Sequence, residues 1–380
     1  MSKINKLVEK IKTLSIIGTV IFFVTMYLSY SLYSKLNKYS LYVVLLFTTL
    51  LTILNFSKIF KLKRKSLIIV LLIIANVFFE VIVNSTGIGS IAIILILLFT
   101  ILSGDIVNID KNVIDISCFV ILIGDIIFLI SDKIYYNTNI CGYLAFSMFP
   151  FAYNFLLGDK KASKKRKLIG IFFIIPLTIM TLDVIIKSES RAAIMGFSVF
   201  FIISIIKNKI FMSKRVYNTF IALILICAIG FVFLYVNLWN NNVDFAIPFT
   251  EKSLYSGREW IWSELLEKFE DNYLYGLGSN YNIHSFSELN VHNSLLHILV
   301  IYGGINFILF SILFYNILRK TNSYIDNNRY NKIFMATIIG MLIVSFFETN
   351  LEWTDVNIYF ILSILFCFCN NDRKEVLQNE

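Results

Sequence analysis

Residues 217–238 read YNTFIALILICAIGFVFLYVNL, and residues 239–262 read WNNNVDFAIPFTEKSLYSGREWIW. The first stretch is apolar over the roughly 20 residues that an α-helix needs to cross about 30 Å of hydrocarbon. The second breaks that pattern with Asn, Glu, Lys, Ser and Arg. Outward from this boundary in both directions the apolar pattern recurs. On the N-terminal side the windows are Leu14–Tyr33, Tyr39–Phe56, Ser66–Val83, Ile88–Ser103, Ile114–Ser131, Cys141–Gly158, Leu168–Ile186 and Ala192–Ile206, followed by Tyr217–Leu238 itself. Beyond the polar stretch come Ser294–Leu318, Ile333–Phe347 and Ile358–Phe368. A hydrophobic fraction of 57% over 380 residues leaves too little polar surface for a soluble protein. The reading is an all-α polytopic membrane protein of about 12 transmembrane helices, one domain over residues 1–380, with a large loop at 239–293 that contains short helices.

Alternating crossings place 26 of the 34 Lys and Arg residues on the face shared by both termini and 8 on the face of the loop. The positive-inside rule makes the richer face cytoplasmic, so both termini are expected inside and the loop outside. The same asymmetry accounts for the net charge of +9 without nucleic acid. The first window lacks a small-residue cleavage pattern and is expected to be a retained anchor. Five cysteines, four of them in or near helices, predict no structural disulfide. Cys367-Phe368-Cys369 lacks the companion ligands of a metal site.

Charged residues inside spans are costly and usually functional. Glu80, Asp125 and Asp183 fall in the outer halves of their windows, and Glu348 lies at the outer end of another. This bias predicts a cavity open to the outside, whereas a secondary transporter places its substrate near the bilayer centre. Taken singly, each acid is equally well explained by reach to interfacial water.

Within the loop, Ser256 and Glu259 have the spacing of a capping box, which predicts a helix beginning at Gly257. Trp262, Leu265, Leu266 and Phe269 then form an apolar face, either along the membrane surface or against the bundle. Arg258 falls in the first turn, where the helix dipole disfavours a cation by about 0.3–1 kcal/mol. Two readings stand: an anion site for phosphate or diphosphate, or a surface Arg paired with Asp271 or Glu251. Arg191, in Ser188-Glu189-Ser190-Arg191, opens a second inward-running helix and is either a second anion ligand or a lipid-headgroup anchor. His292 precedes a third such helix. Helix start and arginines disfavour imidazolium there, leaving a ring able to act as a general base, unless its role is structural. His284 and His297 are its competitors, and the three histidines match no metal motif. Gly276-Leu277-Gly278 reads as a tight turn, and Gly303-Gly304 as a place of close helix packing.

In order and spacing, these residues resemble the O-antigen ligase and polymerase superfamily of bacterial membrane glycosyltransferases. The resemblance runs from about Leu168 to Gly304 and rests on Ser190-Arg191, Gly257-Arg258 with Trp262, Gly276-Leu277-Gly278, and His292-Asn293 ahead of Gly303-Gly304. It implies an inner (plasma) membrane enzyme that moves glycans off undecaprenyl diphosphate with no metal or other cofactor. Arg191 and Arg258 would hold the donor diphosphate and His292 would deprotonate the attacking hydroxyl. Ser190, Trp262, Asn293, Asp183 and Glu348 are the expected substrate-binding residues; Asp183, Glu348, Glu352 and Asp355 are candidates for sugar hydroxyl contacts or for orienting the arginines, and Trp260, Trp262 and Trp353 for packing against sugar rings. Implied partners are the lipid-linked glycan donor and acceptor, the bilayer, and chain-length regulator and flippase proteins. Polymerisation of repeat units is the favoured reaction. Transfer of glycan to lipid A core, or transport of the lipid-linked oligosaccharide, are the alternatives.

Overall fold

The computed structural model describes residues 3–59, 64–84, 87–107, 109–131, 138–158, 163–206, 213–243, 255, 257–281, 291–321, 329–352 and 354–368. Among these residues every regular element is helical. The helices are α1 (Lys3–Met26), α2 (Tyr30–Leu36), α3 (Ser40–Leu54), α4 (Phe56–Ile59), α5 (Arg64–Asn84), α6 (Ile88–Ile106), α7 (Lys111–Ile130) and α8 (Thr138–Leu157). They continue with α9 (Lys164–Lys187), α10 (Arg191–Ile205), α11 (Lys214–Asn240), α12 (Arg258–Glu270), α13 (Ser294–Thr321), α14 (Arg329–Val344) and α15 (Thr354–Cys367).

Each apolar window of the sequence is occupied by helix. Seven helical segments are long and apolar enough to cross a membrane by length and composition: 30–54, 64–84, 111–130, 138–157, 164–187, 214–240 and 294–321. Four more apolar helices, beginning at Ile88, Arg191, Asn331 and Thr354, are shorter. The first window is not one helix. α1 stops at Met26, and the Ser29 hydroxyl accepts from Leu32 N to start α2; a Ser cap supplies an acceptor for a helix-start amide and so restarts the chain in a new direction.

Burial separates two kinds of helix. α14 and α15 are enclosed along most of their length, whereas α9 leaves Leu168, Phe172, Phe173, Ile175, Ile179 and Ile186 exposed, as a lipid-facing surface would. α10 packs tightly on α14 at Gly196 and Gly340: a Cβ on Gly340 would stand 2.7 Å from the Gly196 carbonyl oxygen. That crossing brings the start of α10, with Arg191, to the same end of the bundle as the α14–α15 connection, with Glu348.

α13 is broken at Gly303, whose φ of 76° and ψ of 171° belong to a region essentially restricted to glycine. The turn after α12 fills the break. Leu277 N donates to Val300 O at 2.7 Å and Gly304 N to Tyr273 O at 2.8 Å, so backbone groups freed by the kink regain partners, as they must where no water is available. The fit depends on the absence of side chains: a Cβ on Gly276 would lie 2.4 Å from Ile301 O, and one on Gly303 would lie 2.2 Å from Leu274 O. Asn84, at the end of α5, donates to Gly276 O at 3.0 Å and to Glu80 Oε2 at 2.8 Å. The turn at 273–277 and the break at Gly303-Gly304 therefore clasp each other, where the sequence alone suggested helix-to-helix packing for that glycine pair; Gly278 closes on Asn84 instead.

Candidate active site

Three helix starts converge at the loop end of the bundle, and each is entered through a left-handed residue. α10 begins at Arg191 after Glu189 (φ 50°), α12 at Arg258 after Gly257 (φ 88°), and α13 two residues beyond His292 (φ 51°). A positive φ is uncommon for a residue other than glycine and marks a conformation that the surroundings impose.

The surroundings of His292 are explicit. Val291 and Asn293 on either side are fully buried. The Trp262 indole donates to Val291 O at 2.7 Å. Asn293 caps α13 by accepting from Leu296 N at 2.9 Å, and its amide donates to Phe346 O at 3.1 Å and Ala228 O at 3.3 Å. Ser294 N donates to Ser345 O, and Ser294 Oγ receives Leu351 N at 3.2 Å. The first turn of α13 is thus sewn to the 345–351 connection, which carries Glu348.

Glu348 joins the site. Its Oε1 lies 3.0 Å from Arg258 Nη2, and its Oε2 lies 3.2 Å from His292 Nδ1. The Glu348 side chain is only 6% exposed, whereas that of His292 is 28% exposed. A carboxylate can only accept, so Nδ1 carries the proton; an uncharged ring then presents a lone pair at Nε2, away from Glu348. Removing one partner of a buried charge pair costs about 3–5 kcal/mol because the other charge is stranded. Arg191 is near enough to Arg258 for the two guanidinium groups to repel each other. Two guanidinium groups at one place offer the charged donors that a bound anion needs.

Not every residue singled out in the sequence joins this cluster. Trp262 is fully buried between Phe231 and Tyr235 and cannot present a face to sugar; it holds the segment ahead of His292. Asn293 and Ser190 are likewise buried caps, the Ser190 hydroxyl accepting from Ala193 N at 3.4 Å. Asp183 sits on an exposed face of α9 with its carboxylate on Lys187 at 2.7 Å. Glu80 serves Asn84 and hence the glycine clasp. Glu80, Asp183 and Glu348 thus have separate partners. Arg258 pairs with Glu348; of the two partners in the surface alternative, Glu251 falls outside the described residues.

The apolar face of α12 packs against the bundle: Trp262 and Leu265 join Val232 and Val236 of α11 and Leu296 and Val300 of α13. The helix begins at Arg258, one residue later than the capping spacing implies. Half of the box is visible, since Gly257 N donates to Glu259 Oε1 at 3.1 Å. Ser256, His284, Glu251 and Trp353 lie outside the described residues. Glu348 was a sequence candidate for orienting the arginines, and its contact with Arg258 fits that role; its hold on His292 was not foreseen. Its one signal was the polar run Glu348-Thr349-Asn350 interrupting two apolar windows.

A family model described as O-antigen ligase matches residues 176–311, a segment that contains Arg191, Arg258 and His292 and ends before Glu348. No curated protein matches the chain.

Proposed function

We propose that this protein, whose residues 176–311 match a family model described as O-antigen ligase, is a polysaccharide polymerase. It joins undecaprenyl-diphosphate-linked repeat units on the outer face of the plasma membrane by metal-independent, inverting glycosyl transfer. The observation that carries the reading is the Glu348 carboxylate, which holds an arginine on one oxygen and an imidazole on the other.

The chemistry follows from that unit. Nε2 of His292 takes the proton of a sugar hydroxyl on the acceptor as its oxygen forms a bond to the anomeric carbon of the donor. The bond from that carbon to the diphosphate breaks, and undecaprenyl diphosphate leaves with the electron pair. Glu348 keeps the ring oriented and stabilises the imidazolium that forms. Arg258 and Arg191 neutralise charge developing on the leaving oxygen, a task that preorganised donors perform without reorganisation. General base catalysis of this kind contributes about 10²–10⁴-fold. A ligase passing glycan to lipid A core would use the same donor half with another acceptor. A flippase reading is disfavoured by the gathering of Arg191, Arg258, His292 and Glu348 at one end of the bundle.

The outward orientation rests on the excess of Lys and Arg at the other face. A cysteine in place of the half-exposed Trp260 should react with a membrane-impermeant maleimide in intact cells. Labelling that appears only after permeabilisation would put the site in the cytosol and end the proposal. The activity itself is tested in a deletion strain complemented with His292→Ala. Loss of polymer with single lipid-linked repeats accumulating on the outer leaflet is expected. Repeats trapped on the inner leaflet would mean transport, and a normal polymer profile would mean no enzymatic role for His292.

A further inference from the structure

A second imidazole–carboxylate pair lies one helical turn along α13 from the site. His297 Nδ1 contacts Glu352 Oε2, and His297 N closes the first hydrogen bond of the helix on Asn293 O at 2.9 Å. Between Asn293 and His297 the helix rises about 6 Å, the scale of one sugar residue. Both histidines therefore meet acids of the same connection, His292 with Glu348 and His297 with Glu352, and Leu351, whose amide is fixed on Ser294 Oγ, stands beside the second acid.

The two pairs differ in what surrounds the acid. Glu348 uses both oxygens on protein partners. Glu352 is 5% exposed, and among the described residues neither carboxylate oxygen has a hydrogen-bond partner, Oε2 making only the ion-pair contact with His297 Nδ1. A buried carboxylate oxygen without a donor is costly, and its retention calls for an explanation. Nearby Asp355 provides the contrast: its Oδ2 accepts from Tyr33 Oη at 3.1 Å, and Tyr33 Oη in turn accepts from Asn37 Nδ2 at 3.1 Å. The open side of the pair is His297, whose side chain is 20% exposed, while the Glu352 oxygens are closed to solvent.

Resting on the transfer reaction above, we propose that His297 and Glu352 form the acceptor subsite and bind two free hydroxyls of a neutral sugar residue in the acceptor glycan. Glu352 Oε1 accepts from one hydroxyl. Nε2 of His297, left with a lone pair when Nδ1 carries the proton toward Glu352, accepts from the other. The negative charge of Glu352 excludes the diphosphate, which belongs with Arg191 and Arg258, and it equally repels a uronic acid at this position. A second catalytic base is the poorer reading, because Glu348 ties His292 directly to a diphosphate-binding arginine whereas the described contacts of His297 lead only to Glu352. A metal is also the poorer reading: no group of three His, Cys, Asp or Glu among the described residues is arranged to hold one.

The test uses the full-length protein in detergent. The donor is the lipid-linked oligosaccharide extracted from the deletion strain, and the acceptor is the same oligosaccharide freed from its lipid diphosphate by mild acid. With donor fixed, Glu352→Gln is expected to raise the acceptor KM at least tenfold, with kcat and donor KM within twofold of wild type. His297→Gln should move the same parameter in the same direction and serves if Glu352→Gln does not fold. An unchanged acceptor KM, or an equal rise in donor KM, overturns the subsite. If the wild-type protein transfers nothing, the transfer reading fails by itself. Binding of the freed oligosaccharide, followed by saturation-transfer NMR, then decides: loss in Glu352→Gln with retention in His292→Ala upholds the subsite, and equal binding by both variants removes it.

Discussion

Nη2 of Arg258 lies 3.0 Å from Oε1 of Glu348, an ion pair made by residues 90 positions apart in the chain. The same carboxylate holds His292, so the proposed anion ligand and the proposed base are one hydrogen-bonded unit. Groups that act as a unit respond to substitution non-additively. Glu348→Gln and His292→Ala should each lower transfer by about 10²-fold or more, and the double variant should be little worse than either. Product formation by the purified single and double variants checks this; fully multiplicative losses would show that the two residues act separately.

Arg258→Lys keeps the charge and loses the planar fork that spans carboxylate and phosphate together. A lost charge-assisted hydrogen bond is worth about 1.5–3 kcal/mol, so kcat over donor KM should fall by about 10–150-fold. The acceptor KM should stay near the wild-type value. A lysine variant with full activity would mean that charge alone suffices.

Trp262→Phe keeps an aromatic ring in the core but leaves Val291 O without its donor. The cost of an unsatisfied buried carbonyl is about 1–3 kcal/mol. Thermal unfolding in detergent should show a lower Tm, and kcat should drop because the carbonyl immediately precedes His292. Unchanged stability with a raised acceptor KM would instead make Trp262 a sugar platform.

Gly276→Ala places a Cβ 2.4 Å from Ile301 O at a φ of +80°. Left-handed backbone costs about 1–2 kcal/mol for an alanine, and forced overpacking typically adds about 1–3 kcal/mol. Low membrane yield or a Tm depressed by several degrees is expected. Ala at Gly18, where nothing stands within 4 Å of an added Cβ, is the neutral control.

The apolar windows were legible because spanning helices must satisfy their own backbone and cover their own surface, which writes length and hydropathy directly into the sequence. The starts of α10 and α12 were legible for a related reason: Ser190 ahead of Arg191 and the spacing of Ser256 and Glu259 carry local capping information, although α12 begins at Arg258, one residue later than that spacing implies. What the sequence did not disclose is long-range. Glu348 lies far along the chain from both its partners, and only the seam of Asn293, Ser294 and Ser345 brings it to them. Trp262 looked like a sugar platform because an aromatic residue in a polar loop and an aromatic residue in a core read alike until burial is known. The left-handed backbone of His292 was not legible, since histidine is far less often left-handed than a glycine such as Gly257.

The clasp between the turn at Gly276 and the break at Gly303 has an evolutionary corollary. Because Gly276 closes on the backbone of Ile301 and Gly303, and Gly303 on that of Leu274 and Tyr275, the turn and the break with their glycine pairs are a single inherited character, and relatives should gain or lose them jointly. A lineage in which residue 303 acquires a side chain and α13 runs unbroken should also show a rebuilt or deleted segment at 273–278. A lineage retaining one pair alone would indicate that the kink can be stabilised by other means.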